Sequence, residues 1–188
     1  MVGSQAPGTT QYNFPMLANA LFGFKFKVIN GYESTPKIHL AMESGEIQGN
    51  AATNWTTVRS LNPHWIAEKK IKILAQWALR KHPELPDTPI ILDQAKTEEQ
   101  KQSLDLALAR LEFGRPFFMP PNVPAERVNA IRRAFDAVMK DKEFLDEADK
   151  LKIEIDPLSG EQVATLIEQI YKTPAATVER VRDAMAPK

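Results

Sequence analysis

Residues 1–23, MVGSQAPGTTQYNFPMLANALFG, pass from an apolar strand end through a polar turn into an amphipathic helix. Val2 closes a short strand, and GSQAPGTT at 3–10 is a turn punctuated by glycine and proline. Thr9 or Thr10 then caps a helix over about 11–22, since a small hydroxyl side chain satisfies one of its first orphan amides. Phe14, Leu17, Ala18 and Leu21 fall on one buried face at helical spacing. Gly23 follows as the residue that ends the helix. Strand, turn and helix in that order form the opening unit of an alternating layer.

The alternation continues downstream. FKFKVI at 24–29 reads as a strand, NGYESTP at 30–36 as a turn, and KIHLAMESG at 37–45 as a helix entered through Ser34 or Thr35 with Pro36 behind. EIQGNA at 46–51 is a short strand, TNWTTVRSL at 53–61 a helix, and KIKILAQWA at 70–78 a central strand that turns wholly apolar. The fold class expected is therefore α/β with a mostly parallel sheet. RKHPELPDTPII at 80–91 is a proline-rich surface loop, and 97–112 is a helix with Leu104, Leu108 and Leu111 on one side. GRPFFMPPNVP at 114–124 reads as a strand crossing between lobes. Beyond Pro124 the chain is nearly all helix, with one short strand expected at Ile153–Ile155. The apolar faces of this tail (Ile131, Phe135, Val138 and Met139; Val163, Leu166, Ile167 and Ile170) need a surface to pack against.

Composition narrows the function. The 188 residues carry 24 basic and 24 acidic side chains, so no global field draws the chain to nucleic acid. Cysteine is absent, which removes disulfides, thiolate metal sites and cysteine nucleophiles. No apolar run approaches the roughly 18 residues that span a bilayer. Glu43 and Glu46 lie across a glycine helix stop and point apart, whereas paired carboxylates must converge on one substrate atom. His39, His64 and His82 are scattered, with no H-x-x-x-H pair, so no metal site and no cofactor are expected. Ser4 has no neighbouring histidine and no nucleophile elbow. The chain does not read as an enzyme. Arg80, Lys81 and His82 read as a solvated loop, and Arg115 as a brace for the crossover.

The turns before the helices carry the sharper reading. A helix start presents unpaired N–H groups and a partial positive charge of about 0.5 e, and it holds a carboxylate without an arginine. Ser4, Gly8, Thr9 and Thr10 offer close backbone approach and hydroxyl donors at the first such turn. Tyr32 and Ser34 repeat the arrangement at the second. Thr53 and Asn54 end the third strand, where ligands of parallel sheets gather. Plain capping explains the same residues without a ligand, and for Thr35 it is preferred. Trp55 is a packing anchor or a lid.

GYESTPKIHLAMESGEIQGNAATNW at 31–55 resembles the pattern G-Y-x-G/S-x-x-x-x-x-L-A-M-E-x-G-E-x-x-G of the extracytoplasmic solute receptors of tripartite tricarboxylate transporters, the Bug-type receptors. The resemblance continues through KIKILAQ, RKHPELPDTP and the stretch from Gly114 to Pro174, and so covers nearly the whole chain. Glu33, Ser34 and Gln48 depart from the commoner residues of the pattern. The resemblance implies a periplasmic-binding-protein type II-like lobe followed by a helix-rich returning segment, with the first lobe incomplete. Its domains would be an α/β ligand-binding lobe at 1–115 and a crossover strand with helices at 116–188. It implies a receptor, or a truncated form of one, that captures small organic carboxylates in the periplasm for a membrane permease. The loop holding Ser4, Gly8, Thr9 and Thr10 would then lie at the ligand cleft. Half a hinge cannot close, so weak or absent binding and a homodimer through the uncovered face are expected. The alternative is a shortened, oligomerising protein built on the receptor fold with no delivery role.

Overall fold

The computed structural model describes residues 1–151 and 153–187. Its chain is α/β and divides into two compact units, Met1–Leu108 with Thr173–Lys188, and Ala109–Lys172. The last helix belongs with the first unit.

Three two-residue strands, β1 (Val2–Gly3), β2 (Val28–Ile29) and β3 (Gly49–Asn50), form a parallel sheet of order β2-β1-β3. Val2 pairs with Val28 and Gly49, and Gly3 with Ile29 and Asn50. Helix α1 (Thr10–Phe22) follows β1, α2 (Thr35–Glu43) follows β2, and α3 (Trp55–Leu61) follows β3. The first crossover goes to one side of β1 and the second returns past it, so right-handed connections place α1 and α2 on opposite faces. The packing agrees. Phe14 and Leu17 of α1 share a core with Leu104 and Leu108 of α5 (Glu98–Glu112) and with Val181 and Ala184 of α9 (Ala175–Met185). Ile38 and Ala41 of α2 form a separate cluster with Ile47, joined by Ile29 and Tyr32.

Local chemistry fixes the ends of these elements. Gly23 closes α1 with its amide on the Asn19 carbonyl, as the sequence implies. The Asn19 side chain bonds both backbone groups of Phe26, at 2.9 and 2.8 Å, and this keeps Phe26 out of the ladder. The strand predicted over 24–29 therefore shrinks to its last two residues.

The predicted strand at 70–78 does not form. Only Gln76 pairs, in an isolated parallel bridge to Ile90, and Leu74 is 69% exposed. The buried Gln76 side-chain amide serves the loop beside it: it donates to the Leu85 and Thr88 carbonyls and accepts from His82 N–H. It organises the proline-rich loop rather than a sheet. Trp77 stacks on Phe14 with centroids 4.7 Å apart. A short helix, α4 (Pro63–Ala67), sets Trp65 beneath α2, where its indole donates to Glu43 at 2.7 Å.

In the second unit α6 (Ala125–Val138), α7 (Lys142–Lys150) and α8 (Gly160–Tyr171) are helical, as predicted. Residues 115–120 and Ile153–Ile155 are not strands, so the expected crossover strand is absent among the described residues. Prolines at 116, 120, 121 and 124 remove the donors a ladder would need. The Arg132 guanidinium ties α6 to the start of α8 through Glu161 at 3.0 Å and the Gly160 carbonyl at 3.3 Å. From Gly114 to Lys172, Ala148 is the one buried side chain among the described residues.

The sheet tolerates no side chain at its centre. A Cβ on Gly3 would lie 2.7 Å from Ile47 Cδ1, 2.9 Å from Ile38 Cγ2 and 3.2 Å from Tyr32 Cε2. A Cβ on Gly49 meets only Val2 Cγ1, at 3.8 Å. Gly3→Ala is expected to lower stability by about 1–3 kcal/mol through overpacking, and Gly49→Ala by about 0.5 kcal/mol or less. Urea unfolding of both variants checks the contrast.

Candidate functional site

The carboxyl edge of the sheet is where the chain leaves β1 for α1 and β2 for α2. Four hydrogen bonds hold these two turns side by side. Tyr32 N–H donates to the Ser4 carbonyl at 3.3 Å and Gly31 N–H to the Gln5 carbonyl at 3.1 Å. The Gln5 side chain donates to the Glu33 carbonyl at 3.2 Å, and the Gln11 side chain to Thr35 Oγ1 at 3.2 Å. The strand order reverses at β1, and in open parallel sheets ligands bind outside the carboxyl ends at such a point.

The polar groups expected to meet a ligand are mostly committed to the turn itself. Ser4 is fully buried, with Oγ 3.4 Å from Thr9 Oγ1. The Thr9 hydroxyl donates to the Ala6 carbonyl at 2.7 Å and caps no helix amide. Gly8 sits at φ +91°, a conformation that favours glycine. Its N–H is taken by Asn13 Oδ1 at 3.2 Å, and Asn13 Nδ2 returns to the Gly8 carbonyl at 3.3 Å. Ser4, Gly8 and Thr9 thus shape the turn, and their donors are spent within it.

What remains free is backbone. Tyr12 and Asn13 amides reach the Thr9 carbonyl, whereas the amides of Thr10 and Gln11 meet no acceptor in the described structure. At α2 the Lys37 and Ile38 amides close on the Ser34 carbonyl, and Pro36 has no N–H to offer. Thr35 N–H is the donor left there. Ser34 makes no side-chain cap and is half-buried beside it. Of the expected set, Thr10 and Ser34 therefore keep polar groups at the junction of the two turns.

Tyr32 goes elsewhere. Its ring packs against the Ile38 and Ile47 cluster, and its hydroxyl donates to Glu46 Oε1 at 2.5 Å, ahead of β3 rather than beyond the strand ends. That bond, with some desolvation and the nearby Glu46 charge, raises the phenol above its ordinary value. A groove of about 430 Å³ runs there, lined by Tyr32, Lys37, Leu40, Ala41, Ser44 and Glu46. Its carboxylate opposes an anion, and its phenol is already engaged.

Thr53 and Asn54 are exposed at the carboxyl side of β3, and neither bonds to the first two turns. Trp55 is an anchor: its indole donates to Glu84 Oε2 at 2.6 Å, and Arg59 pairs with the same carboxylate at 2.7 Å. Glu43 and Glu46 bond to different partners. Glu43 takes Trp65 and His64 N–H groups, which hold it below the usual carboxylate range, and Glu46 takes Tyr32. Among the described residues no group of three His, Asp or Glu side chains converges as a metal set.

Two buried polar groups at this edge escaped the sequence reading. Gln11 is 5% exposed, and its Oε1 has no partner. Asn50 Nδ2, at the carboxyl end of β3, is likewise unpaired, while its Oδ1 accepts from Ala52 N–H at 3.2 Å. Gln11 was legible in principle, because it lies three residues before Phe14 on the buried face of the helix. A polar residue there is the signal to follow.

Comparison with known proteins adds no family: no family model, curated protein or solved structure matches the chain.

The Tyr32 assignment is testable by absorbance titration at alkaline pH. The phenol shift is upward, so the phenolate of Tyr32 should form at higher pH in the native chain than in Glu46→Gln. Identical titration curves would show that the phenol and Glu46 are not bonded.

Proposed function

We propose that the chain is a carboxylate-binding receptor lobe, acting outside the cytoplasm in the manner of the Bug-type receptors it resembles and delivering its cargo to a membrane permease. The reading rests on one observation above the rest: two unpaired amides, of Thr10 and Gln11, open α1 at the point where the strand order reverses. The resemblance adds the periplasmic-binding-protein type II architecture, the periplasmic setting and the transporter.

The energetics set the affinity. Hydrogen bonds from neutral donors to a charged acceptor contribute about 1.5–3 kcal/mol each. Two of them supply roughly 3–6 kcal/mol before the cost of association is subtracted. A dissociation constant near 1 mM corresponds to about −4.1 kcal/mol. An isolated lobe therefore orients a small acid and holds it weakly, and an opposing lobe would supply the rest.

A second reading has its own support. The unit from Ala109 to Lys172 exposes Phe117 at 83% and Phe118 at 89%, with Ile131, Leu151 and Ile153 more than half exposed. Phe117 leans on Phe135, with centroids 5.8 Å apart, so this surface is continuous from the 115–120 segment to α6. An apolar face of this kind favours self-association, as in an oligomerising protein derived from the receptor fold. Light scattering distinguishes the readings: a dimer that returns to monomer in Phe117→Ser/Phe118→Ser supports self-association through this face, and a wild-type monomer opposes it.

Thr10→Pro tests the receptor reading with little risk to the fold. Proline is tolerated at the first helical position, and Thr9 already has the extended backbone (φ −75°, ψ 158°) that a following proline requires. The substitution deletes one of the two free amides. In calorimetric titrations with acetate, succinate and citrate, millimolar binding is expected for the wild type, weakened about tenfold or more in Thr10→Pro. Equal affinities would contradict the assignment.

A further inference from the structure

The Gln11 carboxamide lies between the starts of two helices and engages only one of its two polar atoms. Its nitrogen meets Thr35 Oγ1 at 3.2 Å, while its oxygen is buried with no partner. An unpaired buried polar atom costs about as much as a lost hydrogen bond, so it calls for a reason. Both free amides of α1 belong to Gln11 and its neighbour Thr10. The orphan atom and the anion-attracting helix start therefore sit on the same residue.

We propose that Gln11 is the specificity-determining side chain of this site, donating through Nε2 to a bound carboxylate. The inference rests on the carboxylate reading above and adds a mechanism to it. A hydroxyl both donates and accepts. If the Gln11 amide turns by half a rotation about its last torsion, Thr35 donates to Oε1 where it previously accepted from Nε2. The 3.2 Å contact survives the turn, and only the leftover atom changes, from an acceptor to a donor. Without ligand, either orientation leaves one atom unpaired. A carboxylate offers lone pairs alone, so it selects the orientation with nitrogen outward and satisfies the orphan. The anion then meets two backbone amides and one side-chain amide, all neutral, and no buried cation has to be desolvated.

The mechanism links the two turns. The Thr35 hydroxyl, at the start of α2, acts on the ligand only through Gln11, so it positions that side chain. Removing the hydroxyl should weaken binding as much as removing the amide, and removing both should weaken it little further.

The test is a titration of ¹⁵N-labelled protein with sodium acetate and sodium succinate, following backbone amides and the Gln11 side-chain NH₂ pair. The expected result is that Thr10, Gln11 and the NH₂ pair shift with one midpoint. Gln11→Met and Thr35→Val should each raise that midpoint about tenfold, and the double variant should stay close to either single one. Backbone shifts with a stationary NH₂ pair and an unchanged midpoint in Gln11→Met would overturn the role of Gln11 and leave the carboxylate site standing. No shift at Thr10 or Gln11 with either salt would overturn both. Thr35→Val keeps the volume of the side chain, so it gives an independent answer should Gln11→Met unfold.

Discussion

Two backbone hydrogen bonds carry the architecture of the site: Tyr32 N–H to the Ser4 carbonyl and Gly31 N–H to the Gln5 carbonyl. They extend the β1–β2 pairing past the last ladder residues, into the turns themselves. The sheet has only two residues per strand, so this extension is a large share of what aligns β1 with β2. Without it, only the side-chain bonds from Gln5 to Glu33 and from Gln11 to Thr35 would join the starts of α1 and α2. The ban on a side chain at Gly3 follows from the same crowding, with Ile38, Ile47 and Tyr32 closing over the centre of the sheet.

The turn then decides which donors stay free. Thr9 could cap the helix with its hydroxyl, the usual fate of a threonine there. It bonds back to Ala6 instead, while Asn13 reaches back to grip Gly8 from both sides. Those choices hold the turn rigidly and leave the first amides of α1 without partners. At α2 the opposite happens: proline removes one donor, and the Ser34 carbonyl absorbs two more. The two helix starts are neighbours, yet they are unequal. The electrostatics of the edge are carried chiefly by α1.

The sequence exposed the helices better than the strands. The period of Phe14, Leu17, Ala18 and Leu21 and the Gly23 stop are local properties, and α1 forms between them. Strand lengths are set by competition that a linear pattern does not reveal. Asn19 withdraws Phe26 from the ladder, and Gln76 spends its amide on the proline-rich loop. The segment at 114–124 has apolar residues suited to a strand, but its prolines deny it the pairing. Within the site, residue types were readable and their partners were not. Hydroxyls at 4 and 9 read as donors to a ligand, and both turn inward: Thr9 to the Ala6 carbonyl and Ser4 to the Thr9 hydroxyl. Gln11 was hidden by the opposite error, since one polar residue on an apolar face is easily passed over.

An anion site at this edge requires that the first amides of α1 be free while those of Gly31 and Tyr32 are bonded. Scalar couplings through hydrogen bonds, measured on deuterated, ¹³C,¹⁵N-labelled protein without ligand, report this directly. Correlations from Tyr32 N to the Ser4 carbonyl and from Gly31 N to the Gln5 carbonyl are expected, with none from Thr10 N or Gln11 N. Correlations from Thr10 and Gln11 to any protein carbonyl would mean that α1 has no donors to offer, and the site would not exist as described.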